Sequence, residues 1–154
     1  MSHQRLAVFL SICFAVTASI VVADDVPGIK DGDRMTRDVA GKVKDISTPD
    51  LQRTIEKIPD LVLIDIRMPS EIESMGGAIK APQNVNIPRG WLEFRVTNYA
   101  RSKDTPIVVY CGGNIRSVLA AHTLKQMGYT NVKNYADGFI GWKQKGLPVK
   151  RGDK

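Results

Sequence analysis

One cysteine, two glycines and an arginine fall together in Tyr110-Cys111-Gly112-Gly113-Asn114-Ile115-Arg116-Ser117. The segment follows the apolar run Ile107-Val108-Val109-Tyr110 and leads into a helical pattern over Ile115 to Met127, which Gly128 stops. A strand buried on both faces therefore gives way to a helix at this point. Side chains and free amides at the carboxyl end of a parallel strand face a crevice, where ligands bind in such sheets. Gly112 and Gly113 let the backbone curl with its N–H groups inward, and the helix N-terminus and Arg116 add positive charge. Cys111 at the head of such a loop is expected to be a thiolate, a strong nucleophile able to form a covalent intermediate. The alternative is a buried cysteine serving as a small hydrophobe. The glycine pair, the arginine and the strand-to-helix position together favour the reactive reading.

The rest of the chain must position this loop. Leu61-Val62-Leu63-Ile64-Asp65-Ile66 reads as a second strand buried on both faces, interrupted only by Asp65. A carboxylate there must be paired, with Arg67 or a nearby loop, and its expected role is structural. Arg67 lies just past the strand end and is expected to face the crevice and help bind substrate. Val43–Ile46, Asn84–Ile87 and Val132–Tyr135 read as short strands. Ser47-Thr48-Pro49-Asp50 opens a helix to about Lys57, with a capping hydroxyl, proline in the first turn and an acidic residue beyond it. Further helices are expected at Pro69-Ser70-Glu71, over Trp91–Ala100 and over Phe139–Lys145. Strands alternating with helices predict a three-layer α/β/α domain with a mostly parallel sheet.

At 154 residues the chain is long enough for one domain. Its 43% hydrophobic and 25% charged residues argue against a disordered or multi-span membrane protein. The net charge of +6 is spread along the chain, so nothing points to nucleic acid, and a basic surface favours small anionic substrates. Two cysteines, Cys13 and Cys111, and two histidines, His3 and His122, cannot furnish a structural zinc site. His122 reads as a surface residue rather than a general base.

Leu6 to Ala23 carries no charge, follows Arg5, ends in small residues and gives way to Asp24-Asp25. This predicts a signal peptide over residues 1–23, cleaved after Ala23, and a periplasmic or secreted protein with no stable membrane span after cleavage. An uncleaved anchor is the alternative. Cleavage leaves Cys111 as the one cysteine, so no intramolecular disulfide can form and an exported thiol needs a reason. Residues 24–44, with Pro27, Gly28, Gly32 and Gly41, read as an N-terminal extension of low order with a short helix over 34–40.

Over about residues 45–149 the chain resembles the rhodanese superfamily of sulfurtransferases in its single-domain form. Asp65-Ile66-Arg67 with Glu71 resembles the family's D-x-R-x-x-x-E segment, and Gly77-Ala78-Ile79 through Asn86-Ile87-Pro88 its GHIxGAxNIP segment. Cys111 through Ser117 resembles the active loop, and Gly138, Trp142, Gly146 and Pro148 the family's C-terminal ending. Ala78 stands where His is common, residues near Pro82-Gln83 look inserted, Asn114 stands where Gly is common, and Ile115 where many members are polar. Asn114 tolerates the backbone angles a glycine would supply. The resemblance implies a rhodanese-like domain over 45–154 that moves a sulfane sulfur, through a persulfide on Cys111, from a small anionic donor such as thiosulfate. The acceptor would be cyanide, a small thiol or a protein thiol. Gly112, Gly113, Asn114, Ile115, Arg116 and Ser117 would hold the sulfur and the donor. Asp65 would support the site, and Trp142 would support and border it. No metal or organic cofactor is implied. Relatives acting as phosphatases or arsenate reductases have five residues between Cys and Arg; here there are four, Gly112 to Ile115. Two other readings remain: a phosphatase or arsenate reductase using the same cradle, and a non-catalytic persulfide carrier or protein-interaction domain, with residues 24–44 as a candidate contact for an unidentified protein partner.

Overall fold

The computed structural model describes residues 28–151. The signal segment, the cleavage position and the first residues of the extension lie outside the described residues. No helix among the described residues is long and apolar enough to cross a membrane.

The elements run α1 (Gly32–Ala40), β1 (Lys44–Asp45), α2 (Thr48–Lys57), β2 (Val62–Asp65), α3 (Pro69–Ser74), β3 (Ala78–Ile79), β4 (Asn84–Asn86), α4 (Leu92–Arg95), β5 (Ile107–Tyr110), α5 (Ser117–Gln126), β6 (Val132–Asn134), α6 (Gly138–Gln144) and β7 (Val149–Lys150). Five strands form one sheet in the order β1-β6-β5-β2-β4, and every pairing in it is parallel. β3 and β7 make a separate antiparallel pair. The α/β class and the mostly parallel sheet are as the sequence predicts.

The alternation of side chains along β2 and β5 divides the core in two. Val62, Ile64, Ile66, Ile107, Val109 and Cys111 pack with Val118, Ala121 and Leu124 of α5 and Leu92 of α4. Leu63, Val108 and Tyr110 pack on the other face with Leu51 of α2 and with Phe139 and Trp142 of α6. β2 and β5 are buried at every position, which explains their unbroken apolar runs.

Three local expectations change. Low order is not what the described part of the extension shows. Asp31 caps α1 by accepting from the Arg34 N–H at 2.8 Å, and Val39 sits in the α5-side core. The Lys125 ammonium on α5 also donates to the Lys42 carbonyl beyond α1, at 2.6 Å. Trp91–Ala100 is a broken series instead of one helix, with single 3₁₀ turns at Arg89–Trp91 and Val96–Asn98 on either side of one α-turn. Gly90 before that turn and Val96, Thr97 and Asn98 after it are poor helix formers. α5 begins at Ser117, so Ile115 and Arg116 belong to the loop.

Truncating Val39 to Ala should lower stability by about 1–2 kcal/mol, as expected for two buried methyl groups. Equilibrium urea unfolding would measure this. A value near zero would mean that α1 contributes nothing to the folded unit.

Candidate active site

Cys111 closes β5 with its side chain on the α5 face, 1% exposed. Its thiol lies 3.6 Å from the hydroxyl of Ser117, itself fully buried at the first position of α5. Thiol and hydroxyl can exchange roles: Cys111 donates when protonated, and Ser117 donates when Cys111 is a thiolate. No other cysteine lies among the described residues.

The loop is fixed from below by α6. The Phe139 N–H donates to the Cys111 carbonyl at 2.8 Å, and the Ile140 N–H donates to the Gly112 carbonyl at 3.0 Å. Both carbonyls are thereby turned toward α6, and a planar peptide that points its C=O one way points its N–H the other. Gly138 makes this approach possible. A Cβ there would stand 2.6 Å from the Gly112 oxygen and 2.8 Å from the Cys111 oxygen, and its φ of +59° lies in the left-handed region. Farther along, Asn114 has a φ of 63°, the conformation its side chain tolerates better than most. The Ile115 N–H donates to the Gly113 carbonyl at 2.9 Å, which closes the turn, while the Ile115 side chain is exposed. Met75 and Ile140 lie beside Gly112 and Gly113, so the loop has an apolar rim that also includes Ile115.

Arg116 does not extend freely over the loop. Its Nη2 and Nη1 donate to Glu71 Oε1 and Oε2 at 2.6 and 2.9 Å, a bidentate pair at the partly exposed edge of the site. Glu71 also accepts from the Met68 N–H at 2.9 Å and so caps the start of α3. The Arg116 guanidinium and then that backbone donor hold the Glu71 carboxyl at about 2. In the sequence Glu71 entered through a helix start and a motif, and its acidic type four residues past Arg67 was the available signal for a site role.

Arg67 is where the sequence expectation fails. It is fully buried and does not open into the loop. Its Nε and Nη2 donate to Asp65 at 2.9 and 2.5 Å, its Nη2 donates to the Gly77 carbonyl at 3.0 Å, and its guanidinium lies 4.1 Å from the centre of the Phe139 ring. These partners belong to the α2–α6 face of the sheet, opposite the face of the Cys111 side chain. Burial disfavours the Arg67 charge, and the Asp65 carboxylate more than offsets this, raising its pKa above the ordinary arginine value. Asp65, itself buried, is paired with Arg67, as a carboxylate in that strand requires. Trp142 is buried in the same layer, donating from Nε1 to the Pro148 carbonyl at 2.9 Å and meeting the Tyr135 ring edge-on. It supports the ending of the chain that carries α6.

His122 is half-buried on α5, in a cleft of about 460 Å³ between α1 and α5, rather than at Cys111. Among the described residues no group of three or more His, Cys, Asp or Glu side chains is placed to hold a metal ion.

Two substitutions test these supports. Asp65→Asn strips the buried Arg67 of its charge partner and should destabilise the fold by about 3–5 kcal/mol, read by urea unfolding. Glu71 supplies a pH signature. Its carboxyl is depressed in the folded state, so its stabilisation is complete above its ordinary value of 4.5 and is lost as the pH falls toward 2. Thermal melts across that window should therefore fall more steeply for the native chain than for Glu71→Gln; parallel curves would remove the Arg116–Glu71 pair from the account.

The rhodanese-like domain model matches residues 47–145. A sulfurtransferase of Allochromatium vinosum is 33% identical over 107 residues, covering 70% of this chain and 94% of that one. Among solved structures, the polysulfide-sulfur transferase homodimer of Wolinella succinogenes superposes with a TM-score of 0.67 at 28% identity, over 75% of this chain and 84% of its own. A Rhodopseudomonas palustris protein of unknown function, for which tyrosine phosphatase activity has been suggested, reaches a TM-score of 0.69 at 29% identity, over 79% of this chain and 95% of that one. The parallel sheet, the cysteine loop after its central strand and the matched sequence thus have one common source, and the chain belongs to the rhodanese-like domain family.

Proposed function

We propose that this protein is an exported sulfurtransferase that carries a sulfane sulfur on Cys111. The observation that carries the reading is the loop itself: Cys111 at the end of β5, with its first two carbonyls bound to α6 and its turn closed in four residues before Arg116. The sulfurtransferases of Allochromatium and Wolinella support it.

In the forward half-reaction the Cys111 thiolate attacks the terminal sulfur of an anionic donor such as thiosulfate. A new S–S bond forms to Cys111 as the bond to the sulfonate sulfur breaks, and sulfite leaves with the electron pair. In the second half a thiophilic acceptor attacks the outer sulfur and Cys111 departs as thiolate. With cyanide the product is thiocyanate; with a thiol it is a persulfide. Neither half needs a metal or an external oxidant. The amides of Gly112 and Gly113 and the Ser117 hydroxyl are the groups available to meet the outer sulfur and the negative charge, because the Cys111 and Gly112 carbonyls are turned toward α6 and the N–H groups of the same two peptides therefore point away from it. The burial of Cys111 restricts the donor to one that presents its sulfur end-on.

The short loop opposes the phosphatase activity suggested for the Rhodopseudomonas protein, since a tetrahedral oxyanion needs more room than one sulfur atom. Export rests on the uncharged stretch Leu6 to Ala23 and the acidic residues after it.

Incubation with thiosulfate should add one sulfur atom to the intact mass of the protein. Cyanide should remove it, and Cys111→Ser should never acquire it. No gain in the reduced, folded protein would overturn the thiosulfate reading, and arylphosphate or arsenate turnover would replace it with the rival one. Expression of the full chain in a bacterium with a periplasm should yield a product beginning at Asp24 in the periplasmic fraction. A product that keeps residues 1–23 in the membrane fraction would show an anchor instead.

A further inference from the structure

Asn134 ends β6, paired in register with Asp45 of β1 on one side and Val109 of β5 on the other. It is fully buried, an uncommon place for an amide. Its Nδ2 makes two hydrogen bonds, donating to Asp45 Oδ1 at 2.7 Å and to Asn114 Oδ1 at 2.8 Å. Its own Oδ1 is buried with no partner. An unpaired buried oxygen is costly, so a position that served packing alone would be better filled by an apolar residue.

The orientation of this relay is set by chemistry. The Asp45 carboxylate only accepts, so Asn134 must turn its Nδ2 toward it. The second N–H of that same group then faces Asn114, which must answer with Oδ1. The target is the one non-glycine residue with positive φ among the described residues. It stands in the loop between Gly113 and Ile115, where the backbone reverses. Left-handed backbone costs energy at any residue with a Cβ, and the relay supplies an interaction that exists only while Asn114 holds its place.

We propose that Asp45 and Asn134 form a brace that locks Asn114 in the left-handed conformation, and that Asn134 is a positioning residue for the cysteine loop. Its effect on sulfur transfer rests on the function proposed above; its effect on loop conformation does not.

The test compares wild type, Asn134→Ala, Asn114→Gly and the double variant. Each is measured for the rate of sulfur uptake from thiosulfate and for hydrogen exchange of the 112–117 amides. In Asn134→Ala, uptake should slow about tenfold and loop exchange should rise, in keeping with the loss of one buried hydrogen bond. Glycine needs no brace at this φ, so Asn134→Ala should have no further effect in the Asn114→Gly background. A merely structural role would give the same loss in both backgrounds, and that outcome would overturn the proposal. Asp45→Ala guards against a misfolded Asn134 variant, because Asp45 is an exposed residue of the edge strand. It should raise loop exchange in the same direction, and unchanged exchange in both Asp45→Ala and Asn134→Ala would also overturn the proposal. If the wild-type chain takes up no sulfur, the functional reading fails while the exchange comparison still decides the brace.

Discussion

Two hydrogen bonds from the start of α6 govern the geometry around Cys111. By holding the Cys111 and Gly112 carbonyls on the α6 side, Phe139 and Ile140 decide which way the rest of the loop can face. The contact requires a residue without a Cβ at Gly138, where any side chain would strike the carbonyls it is meant to approach. The position of α6 depends in turn on the core beneath it: Phe139 and Trp142 pack against Tyr110, Tyr135 and Leu63. The glycine and tryptophan of α6 and the cysteine after β5 thus belong to one structural unit, though Gly138 lies 27 positions beyond Cys111.

The buried Asp65–Arg67 pair belongs to the same unit on its other side. Its guanidinium stacks on Phe139 and reaches the Gly77 carbonyl just before β3, so it joins the end of β2, the start of α6 and the β3–β7 pair. A buried ion pair contributes little net stability compared with apolar packing, but removing one partner is severe. Here Arg67 also donates to a buried backbone carbonyl, that of Gly77. Arg67 acts on the cysteine loop through α6, from the far face of the sheet.

Much of this was legible in the sequence because single residues carried it. The two apolar runs show strands buried on both faces, and Ser47 with Pro49 marks the start of α2, where Ser47 does accept from Asp50. Asn114 could be recognised as a residue able to replace glycine at positive φ. What escaped depends on pairs distant in the chain. Nothing local to Arg67 says which face of the sheet it joins; only the parity of β2 against β5 does, and Arg67 lies beyond the strand end. β3 and β7 are two residues each, too short for periodicity to register, and Gly77 is needed because a Cβ there would meet the Lys150 carbonyl at 2.3 Å. The docking of α1 depends on one buried residue, Val39, in a helix whose other apolar side chains, Met35 and Ala40, are exposed. The Asp45–Asn134–Asn114 relay spans 89 residues from Asp45 to Asn134, and no composition or spacing rule announces it.

The pairing of Arg116 with Glu71 bears on how such a loop selects its ligand. A free arginine at this place would fold over whatever anion arrives, and charge would dominate recognition. Here both carboxylate oxygens hold the guanidinium, and Glu71 is itself fixed by the α3 backbone. Arg116 therefore contributes a stationary positive edge, with its net field reduced by its partner. On the proposed function, discrimination then shifts to the peptide N–H groups of a loop with only four residues between Cys111 and Arg116. For the sulfur transfer proposed above, a loop that short would favour a compact, polarisable atom bonded to Cys111 over a bulky oxyanion beside it. The apolar rim of Ile115, Ile140 and Met75 would work in the same direction, because it offers nothing to the oxygens of a large anion.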